Sequence, residues 1–381
     1  MAAKAALADR LYKILREPPK FKCCIVGFDG FTDEIISVVD QRHDVSSYDP
    51  VNDMVSFGQR IVAAAGKSCN VELVTVKKKM GGNAPLMAMA LLESGHHINF
   101  IGTIGAPGQI EEIFSTMVER CDKVITLCPS GHTDALEFKD GKVMLGKMGV
   151  LQRIGYEKLM EQISEEELRE MFDAADLFAS ANWTMLPWMT DLWQRLLEDI
   201  VPHLRPRDRW MFVDLADPRK RSDGDLKKAL EVLNRFSACY RVVLGLNFAE
   251  AVRVAEVLTA QRSDNTPQSL QMMAASIFQK LSLAQIVIHA IDGAAIATEE
   301  GTWYVEGPHF KHPHCSTGGG DNFNAGYCSG LLHDLSQEET LLMAVATSGY
   351  YVSHGESPSM DALANFLQDW EEGKLSLLDC F

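Results

Sequence analysis

The sequence predicts an α/β fold in which a central, mostly parallel sheet is flanked by helices on both faces. Two alternating patterns carry that expectation. Short runs rich in strand-forming residues recur at CCIVGF (23–28), HINFIGTIG (97–105), LFASANW (177–183), WMFVDLA (210–216), RVVLGLN (241–247) and AQIVIHAI (284–291). Helical periodicity fills the intervals, at 84–94, 110–120, 164–173, 188–200, 224–236, 248–259, 267–282 and 322–333. Strands separated by helices imply βαβ units, and right-handed crossovers then place helices on both faces. No repeat or low-complexity linker divides the chain, so one main domain over 1–381 is expected.

One segment departs from the alternation. In HTDALEFKDGKVMLGK (132–147), Asp140-Gly141 separates two strand-forming runs. Asp-Gly supplies the positive φ angles of a tight hairpin. A hairpin set among βαβ units either extends the sheet edge or projects from it; a small β lid is the expectation, from segments at about 33–60 and 130–150. The unpaired edge of such a lid invites a second copy, which predicts a homodimer through the lid.

Composition narrows the function classes. The chain has 381 residues, 36 Lys plus Arg against 52 Asp plus Glu, and a net charge of -16. That charge opposes polyanions at long range, so neither nucleic acid nor an anionic membrane is an expected partner. No run approaches the roughly 20 apolar residues of a membrane span. The amphipathic N-terminus MAAKAALADRLYKILREPPK, a helix expected to end at Pro18 and Pro19, lacks the apolar core of a signal peptide. Nine Cys without a C-x-x-C pair suit a reducing, cytoplasmic location.

The most informative stretch is STGGGDNFNAGYCSGLL, beginning at Ser316. Gly318, Gly319 and Gly320 precede an acid and a helical run. Glycines let successive N–H groups point into one concavity, and a helix start adds unpaired donors and a positive dipole end. Such a site suits the charge on a transferring phosphoryl group. Asp321, at its mouth, could accept a proton from an attacking hydroxyl. The same residues also read as a glycine turn and a helix cap. Gly326 and Gly330 recur at i,i+4 spacing, which lets this helix approach its neighbours closely.

Cys315-Ser316-Thr317-Gly318-Gly319-Gly320-Asp321-Asn322-Phe323 resembles the signature D-T-x-G-A-G-D-x-F of the ribokinase-like (PfkB) carbohydrate kinases. The resemblance implies a ribokinase-like fold and ATP-dependent phosphorylation of a hydroxyl on a sugar or sugar-like molecule. It assigns Asp321 as general base and the Gly318, Gly319 and Gly320 amides as anion hole. Cys315 departs from the family's first Asp, at the loop that in many members holds a monovalent cation.

Further elements arrive in the family's order. MGGNAPLMAMALLESG (80–95) is similar to the paired-glycine element and implies substrate contact by Gly81, Gly82 and Asn83; Leu86 stands where a second Asn is usual. VGFDGFTDEI (26–35) implies that Asp33, with Asp29 at the same strand end, binds substrate hydroxyls. LGLNFAEA (244–251) resembles the N-x-x-E element, so Asn247 and Glu250 would organise Mg²⁺, through water, and the nucleotide phosphates. Asn247 is equally a helix cap. In FVDLADPRKR (212–221), Asp214 and Asp217 compete for one role, and Arg219 and Arg221 are candidates to approach phosphates. IVIHAIDGAAIATEEG (286–301) resembles the adenine-pocket segment and implies nucleotide contact by His289 and Gly293, with the helix around Ala344–Tyr351 opposite.

Two other readings share these residues: a nucleoside kinase of the same superfamily, and a catalytically silent sugar-binding sensor, motivated by Leu86 and Cys315. Ala65-Gly66-Lys67-Ser68 ends like a P-loop but has Ile61 where its first Gly is required. His309, His312, His314 and Cys315 match no structural zinc spacing.

Overall fold

A computed structural model describes residues 2–17, 22–259, 264–311, 313–315 and 317–375. Pro18, Pro19, His312 and Ser316 lie outside the described residues. Among these, a nine-stranded sheet runs in the spatial order Gly301–Glu306, Gly293–Thr298, Gln285–His289, Arg241–Asn247, Trp210–Asp214, Leu177–Ser180, Cys23–Gly27, His97–Gly102 and Lys123–Thr126. The last seven are mutually parallel, and the first two add an antiparallel edge. Strands covered on both faces need apolar residues throughout, and Leu177–Ser180 is buried at all four positions.

Alternation across the pleat divides the interior into two cores. Ile25, Phe178, Met211 and Leu244 face helices Glu165–Ala174, Met189–Arg195, Asp223–Phe236 and Pro267–Phe278. Cys24, Val26, Phe212 and Val243 face Asn83–Glu93, Gly319–Leu332, Gln337–His354 and Met360–Glu371, with Ala2–Arg16 outermost. Every strand expected from the sequence is present, and helical periodicity misleads at 110–120, where the chain makes only a 3₁₀ turn, Glu112–Phe114, and the short helix Ser115–Val118. The helix expected at 188–200 is present, with Met189–Arg195 continuing as a π turn over Leu196–Ile200.

The small second sheet is larger than the expected lid. Its central strand Phe31–Arg42 pairs in parallel with Gly131–Phe138 and antiparallel with Leu73–Gly81 and Tyr48–Pro50. Gly131–Phe138 in turn makes the expected hairpin with Gly141–Lys147. The two-residue link is Lys139-Asp140 rather than Asp140-Gly141, because Phe138 pairs with Gly141. Only Gly141, at φ +154°, takes a positive angle, while the Asp140 carboxylate accepts from the Met54 N–H at 2.9 Å. That bond fastens helix Met54–Ala63 over a satellite core of Ile36, Val38, Val51, Leu136 and Phe138, with Phe57 packed against it.

The two helices that matter most for the site are held by close backbone approach. A Cβ on Gly326 would stand 2.6 Å from Thr347 Oγ1 and 3.0 Å from the Ala344 Cα. Ala raises helix propensity there by about 1 kcal/mol, while overpacking a tight contact costs about 1–3 kcal/mol. The steric term wins, so Gly326→Ala is expected to lower the urea midpoint of unfolding. A raised midpoint would show that the helices separate without cost.

Candidate functional site

Ligands of open α/β sheets bind beyond the carboxyl ends of the strands, and there the polar residues gather. Asp29, Asn182, Asp214, Asn247 and His289 each end or follow a parallel strand. The helix Gly319–Leu332 starts over the same edge, its N-cap Gly318 at φ +95°. A Cβ on Gly318 would meet Tyr351 Oη at 2.7 Å, so the turn requires glycine on both conformational and steric grounds.

Two cavities meet at this helix start. One, of about 660 Å³, is lined by Asp33, Gly82, Asn83, Thr133, Lys220 and Asp321 among others. The other, of about 540 Å³, is lined by Asn247, His289, Gly293, Gly319, Gly320 and Phe323 among others. Helix N-termini leave their first N–H groups without intrahelical acceptors. Here that end stands between the two spaces, with its carboxylate lining the first and its glycines lining the second.

Asn83 links the first cavity to the floor beneath it. Its Nδ2 donates to Asp321 Oδ1 at 2.9 Å, and its Oδ1 accepts from Asn182 Nδ2 at 3.2 Å. Asp29, expected at the acceptor, instead lies fully buried under Asn83. Its carboxylate accepts from the Asn83 and Ala84 N–H groups at 3.1 and 2.8 Å and from Asn182 at 2.9 Å. It thus caps the Asn83–Glu93 helix and aims Asn83. Asp33 does reach the cavity wall, and Gly81 makes room for it: a Cβ there would fall 2.3 Å from Asp33 Oδ2. Burial raises the Asp33 carboxyl, against a Thr133 hydrogen bond and the charges of His132 and Lys79. Leu86 lines the same cavity without a polar group.

Below the helix start, acids accumulate. Asp29, Asp214, Glu250 and Asp321 are all buried. Burial pushes the Asp321 carboxyl well above the usual carboxylate range, and the charges of Asp214 and Asp29 push it further, against the Asn83 bond. Burial does the same to Asp214, with the Glu250 charge next in size. Glu250 is raised by burial against hydrogen bonds from the Asp217 and Asn247 N–H groups, both 2.9 Å. The Glu250 N–H returns to Asn247 Oδ1 at 3.0 Å, so the N-x-x-E pair forms a reciprocal helix cap.

Sequence reasoning settled neither acid of the Asp-Pro segment and missed one amide. Asp214 is the buried one; its carboxylate accepts from Asn324 Nδ2 at 2.7 Å and the Ala216 N–H at 2.8 Å. Asp217 is exposed, and its side chain pairs with Lys220. Ala216 and Asp217 both take left-handed backbone angles, φ +53° and +65°, a conformation costing non-glycine residues on the order of 1–3 kcal/mol each. Asn324 is fully buried, and its Oδ1 has no hydrogen-bond partner among the described residues. An orphaned oxygen beside Asp214 and near Glu250 is a hard-oxygen set that fits Mg²⁺ and its waters.

In the second cavity, the His289 ring stacks on Phe323 at 4.7 Å, and a Cβ on Gly320 would lie 3.3 Å from its Cε1. Burial lowers His289 to about 4, so the ring is neutral at pH 7. Gly293 abuts Tyr304, whose Oη would lie 2.5 Å from an added Cβ. Val345, Ser348, Gly349 and Val352 of helix Gln337–His354 form the far wall. Arg221 does not face a cavity for phosphates: its guanidinium lies 4.4 Å over Trp183 and donates to the Thr184 and Pro187 carbonyls. Arg219 is exposed. Among the described residues, the zinc decoy forms no ligand cluster; Glu34, His132 and Asp134 do approach one another, but on the lid, where Lys78 and Lys147 already pair with the acids.

Comparison with known proteins adds the following. The family model described as prokaryotic ketohexokinase matches residues 10–370. A ketohexokinase of Haloferax volcanii is 28% identical over 347 residues, covering 90% of each chain. Ribokinase from Thermotoga maritima aligns with TM-score 0.61 at 14% identity, over 91% of this chain and 99% of that one. Phosphofructokinase-2 from Escherichia coli, in complex with substrates and products, aligns with TM-score 0.61 at 16% identity, over 91% and 98%. A nucleoside kinase of Methanocaldococcus jannaschii aligns with TM-score 0.60 at 12% identity, over 92% and 100%.

The acid cluster sets a pH dependence whose sign is fixed. A carboxyl held above its unfolded value stabilises the fold below about pH 3.9, and that contribution is lost as pH rises through the raised value. Asp214→Asn removes one such group, and Asn324 can turn its free oxygen to the new amide. The variant is expected to be more stable than the parent at pH 7.5, with the advantage shrinking towards pH 4. Added Mg²⁺ should stabilise the parent and not the variant. Denaturant unfolding at both pH values checks this, and a pH-independent difference would contradict it.

Proposed function

Since the chain belongs to the prokaryotic ketohexokinase family, and is thereby a carbohydrate kinase, we propose that it transfers the γ-phosphoryl group of ATP to a hydroxyl of a ketohexose-type sugar. The observation that supports this best is the single helix start shared by two cavities, one wall bearing a carboxylate and the other the glycine backbone. The acceptor lies in the first, held by Asp33, Gly82 and Asn83. The nucleotide lies in the second, against His289, Gly293 and Phe323.

Asp321 serves as the general base. A carboxyl raised by burial and by its acidic neighbours is a stronger proton acceptor than an exposed one, provided a nearby cation leaves it ionised. The Asn83 amide keeps the accepting oxygen oriented. The hydroxyl proton passes to Asp321, the hydroxyl oxygen bonds the γ-phosphorus, and the bond to the β,γ-bridging oxygen breaks to release ADP. Amides at Gly318–Gly320 face the charge on the phosphoryl oxygens. Glu250, Asp214, Asn247 and Asn324 are the residues that would hold Mg²⁺ and its waters; the ion supplies charge neutralisation of the phosphates.

Among the described residues, the edge strand Leu73–Gly81 pairs with no strand on its outer side, and it exposes Leu73 and Val76. It is the edge along which a homodimer would pair, and light scattering at micromolar protein tests that association, with a purely monomeric mass as the contrary result.

Asp321→Asn is expected to lower kcat by about 10²–10⁴-fold while leaving the ADP dissociation constant unchanged. The measurement is ADP release with Mg-ATP and a panel of ketohexoses, aldoses and nucleosides. Wild-type turnover in the variant would remove Asp321 from the role of base, and preference for a nucleoside would replace the sugar acceptor.

A further inference from the structure

We infer that Lys220 is a catalytic residue of this reaction, supplying the positive charge that grips the transferring phosphoryl group from the acceptor side. The inference rests on the kinase reading above and goes beyond it, because neither the N-x-x-E element nor the glycine turn includes a cationic side chain. Three observations carry it.

The first is position. Lys220 lines the cavity that also holds Asp33, Asn83 and Asp321, and among the described residues it is the only cationic side chain on that wall. The neighbouring arginine that could compete, Arg221, is committed to Trp183, Thr184, Pro187 and Asp225. The second is the backbone that carries it. Two consecutive left-handed residues, Ala216 and Asp217, lead into the turn Pro218–Lys220. Their N–H groups are held by Asp214 and Glu250, the carboxylates nearest the magnesium set. The lysine is therefore tied through one short strained segment to the groups that would position the phosphates. Strained backbone collects where a structure must aim a functional group.

The third is charge. Asp29, Asp214, Glu250 and Asp321 are buried together, and the hydrogen bonds that hold them come from side-chain amides and backbone N–H groups. A triphosphate entering beside four acids needs cations on more than one side. Mg²⁺ would meet the phosphates from the Glu250 side, and Lys220 lines the cavity that holds Asp33 and Asp321. Its present partner holds it weakly: Lys220 Nζ lies 3.2 Å from Asp217 Oδ2, with both side chains more than half exposed. An ion pair this open contributes little, so the ammonium can change partners when a phosphoryl group arrives. As the acceptor oxygen bonds the γ-phosphorus and the bridging bond breaks, charge shifts over the equatorial oxygens. An ammonium drawn to those oxygens acts on the transition state more than on either bound substrate.

The test compares the full-length wild type with Lys220→Met, Lys220→Gln and Lys220→Arg, using Mg-ATP and a ketohexose that the wild type accepts. Removing the charge should lower kcat by about 10²–10³-fold, with sugar KM and ADP affinity shifting less than about threefold, and Lys220→Arg should recover at least about a tenth of the activity. A second readout separates catalysis from packing. Aluminium fluoride added with Mg-ADP and sugar should raise the melting temperature of the wild type beyond Mg-ADP alone, and that increment should vanish in Lys220→Met. Undiminished kcat in the Met and Gln variants, or a change confined to sugar KM, would overturn the inference while Asp321→Asn still reports on the base. A wild type that turns over no sugar would sink the kinase reading and the lysine's role together.

Discussion

Four carboxylates share one buried patch at the carboxyl edge of the sheet, and the rest of the site is arranged around their mutual repulsion. Each is restrained by donors rather than by a salt bridge: Asp29 by two helix N–H groups and Asn182, Asp214 by Asn324 and Ala216, Glu250 by Asn247 and Asp217, and Asp321 by Asn83. Backbone N–H groups and amides hold a carboxylate in place without cancelling its charge. The patch therefore keeps an appetite for external cations that paired lysines would have removed. A cation bound there would relieve the repulsion that these donors leave standing.

The same logic explains why the lid differs from the body. Its outward-facing acids, Glu34 and Asp134, are met by Lys78 and Lys147, and so are neutralised within the protein. Its inward-facing Asp33 makes no ion pair among the described residues and sits against Gly81, where only a glycine leaves space for the carboxylate. Charge is closed on one face and left open on the other. The insertion between Val51 and Leu73 supports this by covering the outer face with Phe57 and Val71, which lets the inner face remain polar.

Much of this was legible in the sequence because it depends on local chemistry. The parallel strands show as apolar runs, and Gly318–Asp321 announces its helix start through residue type alone. What stayed hidden depends on distant partners. Asn324 and Asp214 are 110 residues apart, and Asn182 and Asp29 are 153 apart, so no spacing could bring them together. Asp29 and Asp33 looked alike as two acids past one strand; only the third dimension shows that one caps a helix and the other meets the cavity. The antiparallel edge, GAAIAT and GTWYVE, was missed as strands because small residues and turn formers dilute the apolar run. Three lysines in Leu73–Gly81 masked its alternation, since an exposed edge strand needs few apolar residues. Helical periodicity at 110–120 was real but too short to outlast a 3₁₀ turn.

Glycine placement shows how the helix start can serve two chambers at once. Gly318 turns the chain under Tyr351, Gly319 lies against Val352, and Gly320 lies against His289. Further along, Gly326 and Gly330 draw the helix onto Ala344, Thr347 and Thr340. Packing at the later pair fixes the axis of the helix, and an axis fixed at that end fixes where its first turn points. Precision at Asp321 is thus set partly a turn or more away, by contacts that touch no substrate. Close backbone contacts along the middle of the helix thus orient its first turn as well.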